Sequence, residues 1–378
     1  MSKTIFIIGG TGAQGIPVIR GLLSSPTAYT IRVLTRDPSS ARAQALTALS
    51  PKVNLLPGTF TSESDLRSGL AGAWGAFINV DGFATGEAME TFWTMRCYEL
   101  AIECGVRFYV HGNIDFYYKL SGYKPAHRCG HGDGKGRMGE WILAQNASNK
   151  SLGVGMRAAL FTTGPYMDMA LSAFTPVSPQ IERDGDTGEE VVTWRLPLTA
   201  DGAVAHTSLD DCAYYARWLF DHHEEADGMN LAVGIGHIHY DDVAKAFEKV
   251  TGRKARFVDV DFETYFTHGG FAKMADMPTG YMVDKDSAAA MSVRDNFTGW
   301  WNTWRASGGN KGVVTRDYKL LDEIHPGRVR TVEDFLLKEA EKAKEEGRGT
   351  LWDVVASERS VLKITEDGRS GPVADHGL

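Results

Sequence analysis

An α/β fold built on a doubly wound parallel sheet is what this sequence predicts, and three observations carry the prediction. The first is Gly9-Gly10-Thr11-Gly12-Ala13-Gln14-Gly15, set between the apolar run Ile5-Phe6-Ile7-Ile8 and a helical pattern. Strand, glycine turn and helix in that order make the loop on which such folds seat a pyrophosphate. The second is the alternation of short apolar runs with helical patterns over the first 160 residues, as expected of parallel strands joined by right-handed crossovers. The third is composition: 378 residues, 43% hydrophobic and 23% charged, suit a soluble chain whose core needs no disulfides.

Strand one is Thr4–Ile8. After it, Gly9 permits the tight turn, Gly12 admits a pyrophosphate to the backbone, and Gly15 lets the next helix pack closely. That helix runs from about Ala13 to Leu23 and ends at Ser24-Ser25-Pro26. Strand two is Thr30–Leu34, with a helix over Ser39–Leu49. Strand three is Val53–Leu56, with a short helix over Ser62–Leu70. Strand four is Ala76–Val80, and the long helix Glu87–Cys104 stops at Gly105. Strand five is Val106–His111, the next helix Gly132–Gln145 and strand six Gly153–Leu160. Beyond Pro165 the alternation breaks, and residues 165–205 read as loop around Pro176, Pro179 and the Asp184–Gly188 turn. A helix over His206–Phe220, capped by Ser208 or Asp210, a strand over Asn230–Gly234 and an amphipathic helix over Tyr240–Thr251 follow. Residues 262–305 are aromatic and helical; they read as the core of a cap domain that also offers a wall to a substrate pocket. A charged helix spans Thr331–Gly347, and the polar stretch from Ser357 reads as loosely held. The expected domains are a Rossmann domain over 1–164, completed by segments within 200–236, a smaller α+β substrate domain over 165–350, and a polar tail over 351–378.

A net charge of -8 without a basic patch argues against a dedicated nucleic-acid binder. No stretch reads as a membrane span or a signal peptide, so a cytoplasmic protein with no membrane partner is expected. Cys97, Cys104, Cys129 and Cys212 lack metal-ligand or redox-pair spacing and read as reduced thiols, Cys97 and Cys104 on the buried face of one helix. No metal site is expected, because Cys129, His131 and Asp133 lack a fourth ligand.

Ligands of this fold lie outside the carboxyl ends of the strands. That places Gly9, Thr11, Gly12, Ala13, Gln14 and Gly15 against a dinucleotide, with Asn79 and Val80 after strand four. Asp81 either lies along it or caps the next helix. Folds selective for NAD carry an acid at the end of strand two, about 20 residues past the loop. Here Thr35 stands there and Arg36 follows, and a guanidinium pairs with a 2′-phosphate in bidentate fashion. NADP(H) is therefore the expected cofactor, with Arg42 a second candidate for the phosphate. His131 and Lys135 fall one helical turn apart, on one face of their helix.

With Gly-Gly-Thr-Gly-Ala-Gln-Gly at the start, Thr35-Arg36-Asp37 after strand two, and His131-Gly-Asp-Gly-Lys135-Gly entering a helix, the chain resembles the NmrA-like family of atypical short-chain dehydrogenases. Arg157–Tyr166, Ser208-x-x-Asp211 and Arg316-Asp317-Tyr318-Lys319-Leu320-Leu321 with Pro326 extend the likeness over residues 3 to 340, the last resembling filamentous-fungal members. The resemblance implies NADP(H) in a Rossmann domain beside a smaller C-terminal substrate domain. It also implies one of two activities. Some members are redox-sensing regulators that bind nucleotide without turnover and act through a partner protein; others are reductases, including enzymes of fungal secondary metabolism. Lys135 matches the family's active-site lysine, which contacts the nicotinamide ribose. His131 stands where the tyrosine of Tyr-x-x-x-Lys would be, and Gly112 where a serine usually ends strand five. Beside a lysine cation an imidazole stays neutral, yet it still donates a hydrogen bond to a carbonyl oxygen. Tyr117, Tyr118 and Tyr123 offer a replacement phenol, and spacing does not select among them. The expected function is hydride transfer between NADP(H) and a carbonyl or conjugated carbon of a small aromatic or polyketide-like metabolite, by a monomer or homodimer. The alternative is a non-catalytic NADP(H) sensor with a regulatory protein partner.

Overall fold

The computed structural model describes residues 3–284, 287 and 289–363. β1 (Thr4–Ile8) runs through the glycine loop into α1 (Gly15–Leu23), β2 (Thr30–Thr35) into α2 (Ala41–Leu49), and β3 (Val53–Pro57) into α3 (Glu63–Leu70). β4 (Gly75–Ile78) leads into α4 (Gly82–Glu103). β5 (Phe108–Asn113) leads into the short α5 (Tyr117–Leu120) and then α6 (Gly130–Ser151), which returns the chain to β6 (Arg157–Thr162). The helix starts follow from their caps: Ser40 and Ser62 accept N3 backbone N–H groups, and Asp81 accepts from Phe83. α1 begins later than its apolar pattern because Thr11–Gln14 form the turn closed by Gly12 N–H on Gly9 O at 3.0 Å. α4 begins earlier than expected, with a kink at Gly86, whose φ is 72°.

After β6 the expected loop over residues 165–205 is corrected. β7 (Gln180–Arg183) and β8 (Glu190–Leu196) form an antiparallel hairpin around the Asp184–Gly188 turn. The run Glu190-Val191-Val192-Thr193-Trp194-Arg195-Leu196 is rich in β-branched and aromatic residues, and tertiary burial of Val192, Trp194 and Leu196 fixes it as a strand. Then come β9 (Val204–His206), α7 (Leu209–Asp221) capped by Ser208, β10 (Asn230–Ala232), β11 (Gly236–Ile238), α8 (Tyr240–Thr251), β12 (Ala255–Asp259) and α9 (Phe262–His268). α10 (Val293–Arg305), α11 (Tyr318–Ile324), α12 (Val332–Glu345) and α13 (Leu351–Ala356) complete the chain. The stretch expected to be helical over 262–305 is therefore two helices with irregular chain between them.

The described residues form a seven-stranded parallel sheet in the order β3-β2-β1-β4-β5-β6-β10, a Rossmann-like α/β fold. The period-2 alternation of a strand buried on both faces is plain in β1. Ile5 and Ile7 join α1, α7 and α11 on one face; Phe6 and Ile8 join α3, α4 and α6 on the other. Strand order reverses between β1 and β4, which opens a crevice at their carboxyl ends. A second core, with Trp194, Tyr240, Tyr265, Trp301 and Trp304 fully or almost fully buried, fills the body that stands over that crevice. Cys97 is buried, whereas Cys104 is half-buried at the end of α4.

The stretch from Ser357 is not loosely held as far as the structure describes it. Arg359 O accepts the Ala173 N–H at 3.0 Å, and Lys363 reaches the glycine loop. The remainder of the expected tail, 364–378, lies outside the described residues.

One buried ion pair ties the C-terminal half to the sheet. The Arg316 guanidinium forks onto Asp115, just past β5, at 2.9 and 2.6 Å, and its Nε donates to Val233 O at 3.1 Å. Removing one partner of such a pair strands the other charge. Arg316→Met is expected to cost about 3–5 kcal/mol in urea unfolding, with part recovered when Asp115→Asn is added. A loss below about 1 kcal/mol would place this pair among ordinary surface contacts.

Candidate active site

A cavity of about 830 Å³ lies at the carboxyl ends of the strands, between the sheet and the second body. Small-molecule sites occupy roughly 300–1,000 Å³. Its wall brings together Gly9, Thr11, Gly12, Ala13, Gln14 and Gly15 of the loop, Arg36 after β2, Asn79 and Val80 after β4, and His131 and Lys135 on α6. Asp81 caps α4, and it also lines the cavity.

The glycine loop is shaped by close backbone contact. Gly9 has φ 82°, and a Cβ there would stand 2.7 Å from Asn79 O; one on Gly15 would stand 2.1 Å from Gly9 O. Any side chain at Gly15 would push α1 off the strand. Gln14 pins the loop sideways. Its Nε2 donates to Thr163 Oγ1 at 3.3 Å, and its Oε1 accepts from Asn79 Nδ2 at 2.9 Å.

Asn79 continues this polar chain to Lys135, whose ammonium donates to Asn79 Oδ1 at 3.1 Å and to Val80 O at 2.5 Å, and pairs with Glu90 Oε1 at 2.7 Å. Glu90 is fully buried in α4, and that burial pushes its carboxyl above the usual range against the pull of Lys135. Gly112 is explained by the same cluster. A Cβ there would come within 2.7 Å of Asn79 Cβ, so Asn79 fills the space a serine side chain would need.

α6 begins on a run of glycines that weaken a helix by up to about 1 kcal/mol each relative to alanine. Packing demands two of them: a Cβ on Gly132 would meet the Tyr117 ring at 2.5 Å, and one on Gly136 would meet Phe116 Cα at 2.5 Å. The helix is thereby pressed onto α5, with His131 and Lys135 on the cavity side. The His131 ring packs against both Phe83 and Phe297, with centroids 5.0 and 5.3 Å away, and those two rings stack on each other at 6.3 Å. Asn296 of α10, itself fully buried, holds the ring by its amide. Asn296 Oδ1 accepts the His131 backbone N–H at 3.2 Å, and the nearer amide contact to the ring is Nδ2 to Nδ1 at 2.8 Å. Oδ1 lies 3.1 Å from the same ring nitrogen; with Nδ2 as the donor, the ring proton is on Nε2. Burial, aided by the Lys135 charge, lowers the imidazole to about 4. No hydrogen bond to a described residue engages Nε2. Cys129 Sγ lies 3.3 Å from Nδ1, whereas Asp133 accepts from Arg128 and from the Cys129 and Tyr118 backbone N–H groups.

Of the three candidate phenols, the structure brings only Tyr117 into the cavity wall; burial holds it well above the ordinary phenol range. Tyr118 and Tyr123 pack edge to face on each other away from that wall, and Arg42 is also absent from it. Arg36 Nη1 approaches Tyr281 OH at 3.3 Å. The aromatic stripe divides its work: Phe271, Phe297 and Trp300 wall the cavity, while Tyr265, Trp301 and Trp304 fill the core. Sequence reasoning missed Glu90, Asn296, Tyr166, Tyr281 and Lys363. Asn296 carried a signal, an amide on the same helical face as Trp300; the others stood out by no pattern.

The NmrA-like family model matches residues 1–284. The chain belongs to the NmrA-like family. It is 27% identical to the NmrA-like family domain-containing oxidoreductase hkm9 of Aspergillus hancockii over 71% of this chain and 78% of that protein. It is 25% identical to the corresponding oxidoreductase ptmS of Penicillium ochrochloron over 68% and 76%. Among solved structures it shares its fold with NmrA, a negative transcriptional regulator solved in complex with NADP (TM-score 0.60, 19% identity, 93% and 99% covered). It shares it also with the NADPH-dependent quinone oxidoreductase QOR2 of Escherichia coli, complexed with NADPH (TM-score 0.60, 17% identity, 88% and 98% covered). No helix among the described residues is long and apolar enough to cross a membrane.

The geometry makes a direct prediction for His131. In 15N-labelled protein its ring should be neutral at pH 6, carry the proton on Nε2, and titrate only near pH 4. A midpoint near the ordinary 6.5, or a proton on Nδ1, would contradict the role of Asn296.

Proposed function

We propose that this NmrA-like protein is an NADP(H)-dependent reductase acting on a carbonyl or conjugated carbon of a small aromatic or polyketide-like metabolite. The observation that carries the reading is the continuity of one cavity, from the glycine loop and Arg36 to the aromatic wall around His131. The loop fits a dinucleotide: at Gly12 an added Cβ would meet nothing nearer than Gly9 O at 3.2 Å, which leaves its open face to a pyrophosphate. Arg36 supports the choice of the phosphorylated nucleotide. When bound, the nicotinamide supplies the hydride. Lys135 positions the ribose end and contributes positive charge at the cavity floor. His131, neutral and fixed as the Nε2–H tautomer, donates to the substrate oxygen as negative charge develops there. The Tyr117 phenol supplies the proton, since an alkoxide is the stronger base even against a phenol raised by burial. Phe271, Phe297 and Trp300 exclude water and stack an aromatic substrate. A cytoplasmic protein of secondary metabolism fits this reading.

One observation favours the second reading, an NADP(H) sensor that signals through a partner protein. The Lys135 ammonium already has Asn79, Val80 and Glu90 around it, so a ribose hydroxyl must displace one of them. Single-turnover oxidation of bound NADPH against a panel of aromatic carbonyls separates the two. The reductase reading expects His131→Phe, which keeps the stacking and removes the donor, to slow that step about 10²–10³-fold with NADPH affinity little changed. Equal rates in wild type and variant would remove His131 from the chemistry. Wild type that binds NADPH but reduces no carbonyl would leave the sensor.

A further inference from the structure

We propose that Lys363, on the segment that follows α13, is a cofactor-binding residue that joins Arg36 in holding the 2′-phosphate of NADP(H). The proposal rests on the cofactor reading above and adds to it a cation that neither the glycine loop nor β2 supplies.

After α13 the chain turns back along the second body, tied by the Ala173 N–H to Arg359 O bond, and brings Leu362 and Lys363 into the cavity wall. Lys363 is 9% exposed, and its Nζ donates to Thr11 Oγ1 at 2.6 Å across a sequence separation of 352 residues. Thr11 belongs to the loop against which the dinucleotide phosphates rest. Lys363 is also close enough to Asp37, the residue after Arg36, for its charge to act on that carboxylate. The ammonium thus lies between the glycine loop and the end of β2. In a doubly wound sheet that gap takes the adenosine ribose, and selection between 2′-OH and 2′-phosphate is made there.

The surrounding groups suit a phosphate. The Asp37 carboxylate is turned into its own turn, accepting the Ser39 N–H and O–H at 2.8 and 2.5 Å. Arg36 approaches Tyr281 OH, so its guanidinium stands on the side of the gap that faces the second body. A phosphate seated there receives charge-assisted hydrogen bonds from two cations of separate segments. The ammonium is already desolvated by burial, so its bond is screened less than a surface contact. Cofactor selectivity then depends on the seating of a segment more than 300 residues from the loop it completes.

The test titrates NADPH and NADH into full-length wild type, Lys363→Ala and Lys363→Arg, read by tryptophan fluorescence, with melting curves to show that each variant is folded. Lys363→Ala is expected to weaken NADPH about tenfold and NADH less than about twofold, and Lys363→Arg to restore NADPH. Equal weakening of both nucleotides overturns the assignment to the 2′-phosphate. Unchanged or tighter NADPH binding by Lys363→Ala also overturns it, the latter making Lys363 an occupant of the site instead of a ligand. Wild type that binds neither nucleotide fails the cofactor reading itself, which is a different result from any of these.

Discussion

Three acceptors surround the Lys135 ammonium, and they come from two places: the end of β4 gives Asn79 Oδ1 and Val80 O, and the interior of α4 gives Glu90. A lysine at that depth must be surrounded by acceptors, because an uncompensated ammonium in the interior is costly. Much of the local sequence follows from meeting that demand. Gly82 leaves room for the Glu90 carboxylate, since a Cβ there would lie 2.2 Å from its oxygen. Gly112 leaves room for Asn79. Asn79 in turn holds Gln14, and Gln14 holds the glycine loop to Thr163 at the end of β6. The glycine loop and Lys135 are therefore one hydrogen-bonded unit.

The second body completes what the sheet leaves open. Asn296 reaches down from α10 to hold the His131 ring, and Phe297 beside it stacks on the same ring. A residue held this tightly, neutral and with one nitrogen unengaged among the described residues, suits a hydrogen-bond donor better than a proton shuttle. His131 and Gly112 are each fitted to their neighbours, the first to Asn296 and Phe297 and the second to Asn79. The aromatic wall lines the same cavity, with Phe271, Phe297 and Trp300 beside His131.

The N-terminal sheet was legible because its signals are local: apolar runs, serine and aspartate caps, and glycines at positive φ. The cavity wall was legible for the same reason, since strand ends and the glycine loop converge by topology alone. What the sequence hid is long-range. Glu90 looks like any charged residue of a long helix until α6 packs onto α4. The β8 strand was masked by the prolines and glycines around it, and only burial of Trp194 shows which tendency prevails. Lys363 lies in a polar stretch with no periodicity, and the contact that brings it to Thr11 spans almost the whole chain. Tyr117 differs from Tyr118 and Tyr123 by its place in the cavity wall, which no local spacing reveals.

A crystal structure of the NADPH complex tests whether one cavity seats the dinucleotide with its nicotinamide beside His131 and Lys135. The expected complex has the pyrophosphate on the Gly12 face of the loop, the 2′-phosphate at Arg36, and the nicotinamide between Lys135 and the aromatic wall. A nucleotide bound with its adenine among Phe271, Phe297 and Trp300, or bound outside this cavity, would contradict it.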